Sequence, residues 1–483
     1  MKKYVARLLV FAMLLTLAVL PLSSCSEVDK FARLEGDERA VTFYQIVETK
    51  TNEATSAQAV QKMAMKLDIG DVAYEQVVEG SSTYIKNGDE LTYLEQTTST
   101  VWVGGEKIVT YEDEGYMNGM MFTYTKEGKV ETKLKAPITS AEYEAYRDRL
   151  AEEVPDTYVG EGYCTDMTCE QAEDGTWTAV YQGFTEEGMK PFRYILRSVE
   201  IAVNAEHTLK DVRMTVTADA ELTPVSMIME YVFEEKANAE TRVPNIKIET
   251  YFYGLNNTVL TDTYDISDFK ELEDLRIIGD FLSAIHDREI SESGAFSITT
   301  KTNASYSGES MTSTSVQDVT FKNHDGFEFT LDFEEEGYLF STSYKKGSMT
   351  VTVREEKTGE KVHSESSDLT DFEAQATVQQ LMNSENVSAL DIVGATVTDA
   401  EKGIYTFTLG DSVMNELSDE YEEVYGSPIK SFKGHIEATM VDGELMEYTY
   451  HVYTTVTMEG ITLSITVDVT VVFSDLVEGG ETV

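Results

Sequence analysis

Residues 461–471 read Ile-Thr-Leu-Ser-Ile-Thr-Val-Asp-Val-Thr-Val, and this stretch decides the fold. Every second residue is aliphatic, whereas the residues between them are Thr, Ser or Asp. Successive side chains of a β-strand point to opposite faces, so this period of two indicates a strand with one buried face. Residues 448–452 alternate in the same way ahead of a Glu459-Gly460 turn. The two stretches therefore predict an antiparallel hairpin.

The same alternation recurs far from this hairpin. Apolar side chains occupy every second position in residues 63–69, 225–231 and 327–333. Long antiparallel strands are therefore predicted to dominate the chain.

The predicted helices are few, and two of them match each other. Thr139 and Glu142 have the spacing of a capping box, and Thr370 and Glu373 repeat it 231 residues later. Further echoes occur in the same order: Glu114-Gly115-Tyr116 with Glu336-Gly337-Tyr338, Asp174-Gly175 with Lys402-Gly403, and Leu209 with Leu445. Echoes in a constant order predict a tandem duplication.

The predicted copies span residues 37–268 and 272–478. Residues 38–47 and 277–286 are expected to form the helix that opens each copy, and each capping box opens a second helix inside its copy. The predicted fold class is α+β: two tandem domains, each a curved antiparallel sheet, or half-barrel, that wraps a few helices.

The N-terminus has the layout of a signal peptide. Lys2, Lys3 and Arg7 precede an apolar run over residues 8–20, which is shorter than the roughly 20 residues of a membrane span and is followed by Pro21. We expect residues 1–24 to be a cleaved signal peptide.

Residues 22–25, Leu-Ser-Ser-Cys, resemble the lipobox of bacterial lipoproteins. The resemblance implies cleavage between Ser24 and Cys25 and a diacylglycerol group on the Cys25 thiol. Residues 25–36 would then be the lipidated cysteine and a short tether, and the localisation would be extracytoplasmic and lipid-anchored to the cell membrane. The alternative is an ordinary signal peptide that ends at a chance cysteine.

Charge excludes one class of partner. The 483 residues contain 87 Asp and Glu against 38 Lys and Arg, a formal net charge of −49. Nucleic acid is not expected to bind, because phosphate contacts require clustered Lys and Arg. Acidity on this scale also keeps an exported protein soluble, without any partner. With 41% hydrophobic residues the chain has the composition of a folded protein.

Two cysteines follow Cys25, namely Cys164 and Cys169. Outside the cytoplasm they are candidates for a small local disulfide. A redox or metal pair fits less well, because the spacing is not Cys-x-x-Cys and no histidine lies nearby in sequence.

Motifs for catalysis, metals and cofactors are missing from the sequence. The six histidines are scattered, with no His-x-His or His-x-x-x-His pair, and no phosphate loop, nucleophile elbow or dinucleotide fingerprint occurs. The acidic runs 112–114 and 334–336 lack the spacing of a calcium loop and are expected to be solvated. We predict no enzyme activity, catalytic residue, metal site or cofactor, although a fold can assemble catalytic groups that a sequence does not show.

The order of strands and helices is similar to that of the LolA and LppX-like lipoprotein group. The resemblance implies a cavity between sheet and helices that holds an acyl chain or another hydrophobic ligand. The same inward Met, Tyr, Phe and Val side chains would equally fill an ordinary core. The expected function is binding of a lipid or other hydrophobic ligand at the membrane; the alternative is a structural or protein-interaction lipoprotein of the cell envelope with a protein partner.

Overall fold

The chain divides into two compact units, Met1–Glu271 (unit 1) and Leu272–Val483 (unit 2). The computed structural model describes residues 28, 31–69, 72–88, 90–103, 105–152, 157–193, 207–235, 245–259, 264–289, 291, 293–307, 309–323, 326–369, 371–382, 391–411, 414–415, 418, 429–458 and 461–474.

Unit 1 has one large sheet, the helices α1 (Gly36–Asn52) and α2 (Ser140–Glu152), and a further helical segment over residues 186–193. Its strands are β1 (Ser56–Ile69), β2 (Val72–Asn87), β3 (Glu90–Val103), β4 (Glu106–Met117), β5 (Met120–Glu127), β6 (Val130–Pro137), β7 (Cys164–Gln171), β8 (Trp177–Phe184), β9 (His207–Ala218), β10 (Pro224–Glu235), β11 (Asn245–Tyr253) and β12 (Lys270–Glu271). Their order in the sheet is β12-β6-β5-β4-β3-β2-β1-β11-β10-β9-β8-β7.

Unit 2 has the helices α3 (Arg276–Glu289) and α4 (Asp371–Met382). Its strands are β13 (Ser293–Tyr306), β14 (Glu309–Asn323), β15 (Phe327–Glu335), β16 (Tyr338–Lys345), β17 (Ser348–Glu355), β18 (Lys361–Asp368), β19 (Ile392–Asp399), β20 (Ile404–Leu409), β21 (Ile429–Val441), β22 (Glu444–Met458) and β23 (Ile461–Ser474). Their order is β18-β17-β16-β15-β14-β13-β23-β22-β21-β20-β19.

The two sheets share one strand order. With β1 matched to β13 and β11 to β23, the strands of unit 2 repeat the order of unit 1, apart from the extra two-residue β12. One helix precedes the first strand of each unit, and another follows the sixth. A tandem duplication would produce such a repeated topology.

The predicted α+β class is wrong. Strands make up 64% of the structure and helices 17%, so both units are mostly β. The alternating stretches form 12 strands in unit 1 and 11 in unit 2. Most of the buried apolar side chains among the described residues belong to these strands, and fewer belong to helices.

The cores lie where a helix meets the sheet. In unit 1, α1 packs on β7, β8 and β10 and buries Phe43 and Val47. In unit 2, α3 packs on β19 and β22 and buries Phe281 and Ile285. These apolar side chains recur at three- and four-residue spacing, which places them on one face of each helix.

Several local predictions are confirmed. Residues 461–471 lie in β23, which pairs antiparallel with β22. The Thr139–Glu142 capping box is formed, because the Glu142 amide donates to Thr139 Oγ1 at 3.2 Å and the Thr139 amide donates to Glu142 Oε2 at 3.0 Å. The matching Thr370 and the Glu459-Gly460 turn lie outside the described residues.

Two of the sequence echoes do not match in the structure. Glu114-Gly115-Tyr116 lies inside β4, whereas Glu336-Gly337 forms the turn between β15 and β16. Leu209 belongs to β9, but Leu445 belongs to β22, the counterpart of β10. Asp174-Gly175 and Lys402-Gly403 do occupy matching turns, between β7 and β8 and between β19 and β20.

Candidate functional site

The lipobox prediction lies outside the described part of the chain. Ser24 and Cys25 belong to residues 1–27, about which the structure makes no statement. Within the described residues, no helix combines the length and the apolar character needed to cross a membrane.

The predicted Cys164–Cys169 disulfide is wrong in this structure. Both cysteines lie in β7, both are buried, and both are free thiols. A strand rises about 3.3 Å per residue, so five residues separate the two Cα atoms by roughly 16 Å. A disulfide requires less than about 7 Å.

The two cysteines serve as apolar side chains of the core. An odd spacing normally puts two strand residues on opposite faces. Here the backbone of Gly183 on β8, opposite Thr165, has a φ of +67°, and an added Cβ there would lie 2.5 Å from Thr165 Oγ1. The strand is thus irregular near Thr165, between the two cysteines, and both thiols are buried in the same core. Burial also raises their pKa, that of Cys169 to about 12.

The acidic run of residues 112–114 is not one patch. Its middle residue, Asp113, accepts hydrogen bonds from Tyr264 Oη at 2.5 Å and from Gln96 Nε2 at 3.5 Å, and burial raises its pKa. Glu112 and Glu114 point to the opposite face of β4. The run 334–336 is exposed where β15 turns into β16, as expected for solvated carboxylates.

A cluster of aromatic and charged side chains lies between α2 and β2–β4 of unit 1. We call it the Tyr–Arg cluster, and its members are Tyr84, Tyr93, Glu95, Tyr116, Tyr143 and Arg147. Antiparallel pairing places three of its tyrosines side by side, because Tyr84 is opposite Tyr93 and Tyr93 is opposite Tyr116. Two members of the cluster, Tyr143 and Arg147, belong to α2 and not to the sheet. They are one turn apart and share a helix face.

Arg147 lies over the tyrosine rings. Its guanidinium carbon is 4.1 Å from the ring centre of Tyr93 and 6.0 Å from those of Tyr84 and Tyr143. The ring of Tyr116 stacks on Tyr143 at 4.9 Å with an angle of 21° between the ring planes. A cation within about 6 Å of a ring centre is attracted by its negative face, more strongly when water is excluded.

Glu95 is the buried acid of the cluster. It is 5% exposed and accepts a hydrogen bond from Tyr93 Oη. Burial, and secondarily the nearby Glu114, hold the pKa of Glu95 well above its ordinary value, while Tyr93 and Arg147 act in the opposite direction. Burial opposes the charge of Arg147, but its pKa is raised because Tyr93, Tyr143 and Glu95 outweigh that effect.

The cluster reaches the surface on one side. Glu114, opposite Glu95 on β4, is exposed, and Tyr84 is half-buried. At the rim, Lys86 Nζ donates to Glu144 Oε1 at 2.5 Å. The cluster therefore meets solvent at Tyr84, Glu114, Lys86 and Glu144, whereas Tyr93 and Glu95 lie beneath this rim.

Buried polar side chains continue from the cluster along the same face of the sheet. Thr97 and Ser99 follow Glu95 at alternate positions of β3, and both are buried. Ser99 Oγ accepts from Gln76 Nε2 at 3.3 Å, whereas Thr97 Oγ1 has no hydrogen-bond partner among the described residues. Buried polar groups are normally paired, so this face is unusually polar for a core.

Unit 2 provides a matched position for comparison. Tyr93 and Tyr116 pair just before the Asn118-Gly119 turn, and Phe329 and Tyr344 pair just before the Lys346-Gly347 turn. All four turn residues have positive φ. In each unit the residue two positions before the middle helix, Ile138 or Leu369, also donates its amide to the glycine carbonyl of that turn, which aligns α2 with α4.

Apolar or neutral residues replace almost every ionisable group of the cluster in unit 2. The counterparts are Phe321 for Tyr84, Phe329 for Tyr93, Leu331 for Glu95, Thr342 for Glu114, Ala374 for Tyr143 and Val378 for Arg147, and only Tyr116 keeps its type, as Tyr344. The Tyr344 ring stacks on Phe329 at 6.0 Å, and its hydroxyl donates to the Leu369 carbonyl at 3.2 Å. The charge is therefore specific to unit 1.

The cluster offers recognition groups. It combines aromatic faces, a guanidinium, phenol hydroxyls and a carboxyl group, but contains no Ser, Cys or His that would act as a nucleophile with a base. Among the described residues, no three His, Cys, Asp or Glu side chains are grouped so as to hold a metal ion.

Sequence reasoning did not find this cluster. Arg147 is four residues after the inward Tyr143, and Glu95 is two after the inward Tyr93, so both occupy core-facing positions of their elements. A charged residue at an inward position was the available signal, but among 87 acidic residues it did not stand out.

No protein-family model and no curated protein matches the chain. Solved structures that align with it include OpdL of Pseudomonas aeruginosa, with 6% identity over 88% of this chain and 99% of that chain and a TM-score of 0.10. The GH43B protein of the Bacteroides ovatus xyloglucan PUL aligns with 8% identity over 86% of this chain and 97% of that chain, with a TM-score of 0.15. Similarities this weak carry no inference about fold or function.

Proposed function

We propose that the chain is an extracytoplasmic protein, tethered to the cell membrane by lipid on Cys25, that binds an amphipathic molecule at the Tyr–Arg cluster of unit 1. The polar end of the ligand would contact Arg147, Glu95 and the tyrosine hydroxyls. Its apolar part would lie along the aromatic rings and the neighbouring side chains Leu91 and Met121, which pack with the cluster.

One observation carries the proposal: unit 1 has a buried Glu95 and a half-buried Arg147 at the positions where unit 2 has Leu331 and Val378. Removing an ion from water costs several kcal/mol unless it is well paired, so a charged core is seldom the most stable solution. Unit 2 shows that the same strand order is compatible with Val, Leu and Phe at these positions. Ionisable groups whose pKa is shifted by burial and specific neighbours are concentrated at functional sites.

The test replaces the cluster charges by the residues of unit 2. Residues 26–483 are purified from a bacterial host as the natural sequence and as the double variant Glu95→Leu/Arg147→Val, and native mass spectrometry is followed by organic extraction. We expect one bound molecule per chain in the natural protein and none in the double variant, which removes acid and base together and so avoids an unpaired charge.

A matched control is Lys62→Val/Glu79→Leu, which removes an exposed ion pair of 3.0 Å from the same sheet. This control should keep the bound molecule. The proposal fails if the natural protein carries nothing and acquires nothing from lipid vesicles, or if the double variant binds as well as the control.

A second candidate, a protein-interaction role in the cell envelope, is favoured by unit 2. Phe333 and Phe340 stack at 4.6 Å in nearly parallel planes but are only half-buried. Tyr338, two residues from Phe340 on the same face of β16, is 40% exposed. Exposed apolar and aromatic groups in one area are typical of protein contacts. Retention of an envelope protein by the natural chain, and its loss in Phe333→Ser/Phe340→Ser, would support this role.

A further inference from the structure

Two histidines that are 16 residues apart in sequence are neighbours on unit 2. His435 on β21 is directly opposite His451 on β22, and Asp468 on β23 is opposite His451 on its other side. The two imidazole rings lie 4.6 Å apart, centre to centre, with an angle of 20° between their planes. All three side chains are partly exposed on the same face of the sheet.

Asp468 fixes the orientation of the His451 ring. The Nδ1 atom of His451 is 2.8 Å from Asp468 Oδ1. An ionised carboxylate can only accept, so Nδ1 carries a proton, and in the neutral ring the lone pair is then on Nε2. Histidines that bind metals usually donate their other ring nitrogen to a carboxylate in this way.

His435 is suited to be the second ligand. It is half-buried and directly opposite His451 in the pairing of β21 with β22, with the two rings stacked. Two imidazole nitrogens bound to one ion at about 2.0–2.1 Å are roughly 3–4 Å apart, which small side-chain rotations from the stacked arrangement can reach.

The corresponding row of unit 1 has no such arrangement. Pairing matches His435, His451 and Asp468 with Arg213, Glu230 and Lys247. Alternating charges of this kind are typical of a solvent-facing sheet surface. The histidine pair is therefore a feature of unit 2 alone and is not needed to build the shared topology.

We propose that His435 and His451 bind one divalent transition-metal ion, such as Zn²⁺, with Asp468 positioning His451. Imidazole is a common ligand of zinc, copper and nickel, and the partial exposure of the pair leaves room for water to complete the coordination. The charged side chains around the pair are Lys433 and Glu437 on β21, Asp468 on β23 and Lys301 on β13. This inference is independent of the Tyr–Arg cluster.

The test is calorimetric titration of chelator-treated residues 26–483 with Zn²⁺ alone. We expect one saturable site per chain, weakened at least tenfold by His435→Ala and by His451→Ala, and about tenfold by Asp468→Asn, because loss of a second-shell partner typically costs 10- to 100-fold in affinity. The control is His363→Ala, an exposed histidine on β18 that is 3.4 Å from Glu365 and should leave the affinity unchanged.

Circular dichroism checks that each variant is folded. Nickel titration followed by the chemical shifts of the His435 and His451 ring protons gives a second readout that does not depend on heat. The inference is overturned if titration with Zn²⁺ shows no saturable site. It is also overturned if His435→Ala and His451→Ala both bind Zn²⁺ as tightly as His363→Ala, because binding would then come from dispersed carboxylates.

Discussion

The two units have the same strand order but opposite chemistry beneath the middle helix. In unit 1 the guanidinium of Arg147 covers tyrosine rings next to a buried Glu95; in unit 2 the same positions hold Val378, Phe329 and Leu331. The shared strand order therefore follows from the alternation of inward and outward side chains along each strand. The charged residues of unit 1 and the apolar residues of unit 2 both preserve this alternation. In unit 2 apolar residues replace both the acid and the base.

The largest effect on stability is expected for Val378→Arg in unit 2, which introduces the arginine of unit 1. Val378 is 1% exposed, and an arginine there would be buried against apolar groups with no carboxylate in the place of Leu331. We expect a loss of about 4 kcal/mol in the free energy of unfolding. Denaturation in urea measures it, and adding Leu331→Glu should recover part of the loss; an unchanged midpoint would show that the units differ for another reason.

The reverse substitution, Arg147→Val in unit 1, should cost about 3 kcal/mol, because it leaves Glu95 near Glu114 without its cation. Adding Glu95→Leu should restore most of the stability. The control, Arg149→Val, changes an exposed arginine of the same helix and should alter stability by less than about 0.5 kcal/mol. Equal effects of the two arginine variants would contradict the account.

A smaller effect of opposite sign is expected for Glu95→Gln. The folded-state pKa of Glu95 is raised, so the folded state binds more protons than the unfolded state above the ordinary glutamate pKa of about 4.3. Stability contributed by this group is then present at low pH and is lost as pH rises toward the folded-state pKa.

The neutral glutamine should therefore stabilise the protein at pH 7 and flatten the pH dependence of unfolding, because it cannot ionise. Thermal unfolding between pH 4 and pH 8 measures both. Destabilisation at pH 7 would mean that ionised Glu95 is well solvated or well paired.

The smallest effect concerns the thiols of unit 1. Cys164 and Cys169 are free and buried, and their raised pKa values disfavour the reactive thiolate. A reducing agent should leave the unfolding temperature unchanged, and iodoacetamide at pH 8 should label the thiols only after denaturation. A drop in unfolding temperature on reduction would indicate a disulfide.

Local sequence predicted the elements but not the sites. Strand β23 and the start of α2 followed from alternation and from a capping box, which are short-range signals. The predicted fold class was wrong because the strands, 12 in one sheet and 11 in the other, far outweigh the helices in number. The Tyr–Arg cluster and the histidine pair were missed because the fold brings together residues far apart in sequence. Packing of α2 on the sheet brings Tyr143 to Tyr93, and cross-strand pairing brings His451 to His435.

Hydrogen–deuterium exchange, compared between the protein with its co-purified molecule and the protein after organic extraction, tests the central claim most directly. We predict that the ligand protects amides in residues 84–95 and 140–147 of unit 1 and leaves the counterpart residues 321–331 and 371–378 of unit 2 unchanged. Equal protection of both units, or protection of unit 2 alone, would contradict the assignment of binding to the charged cluster of unit 1.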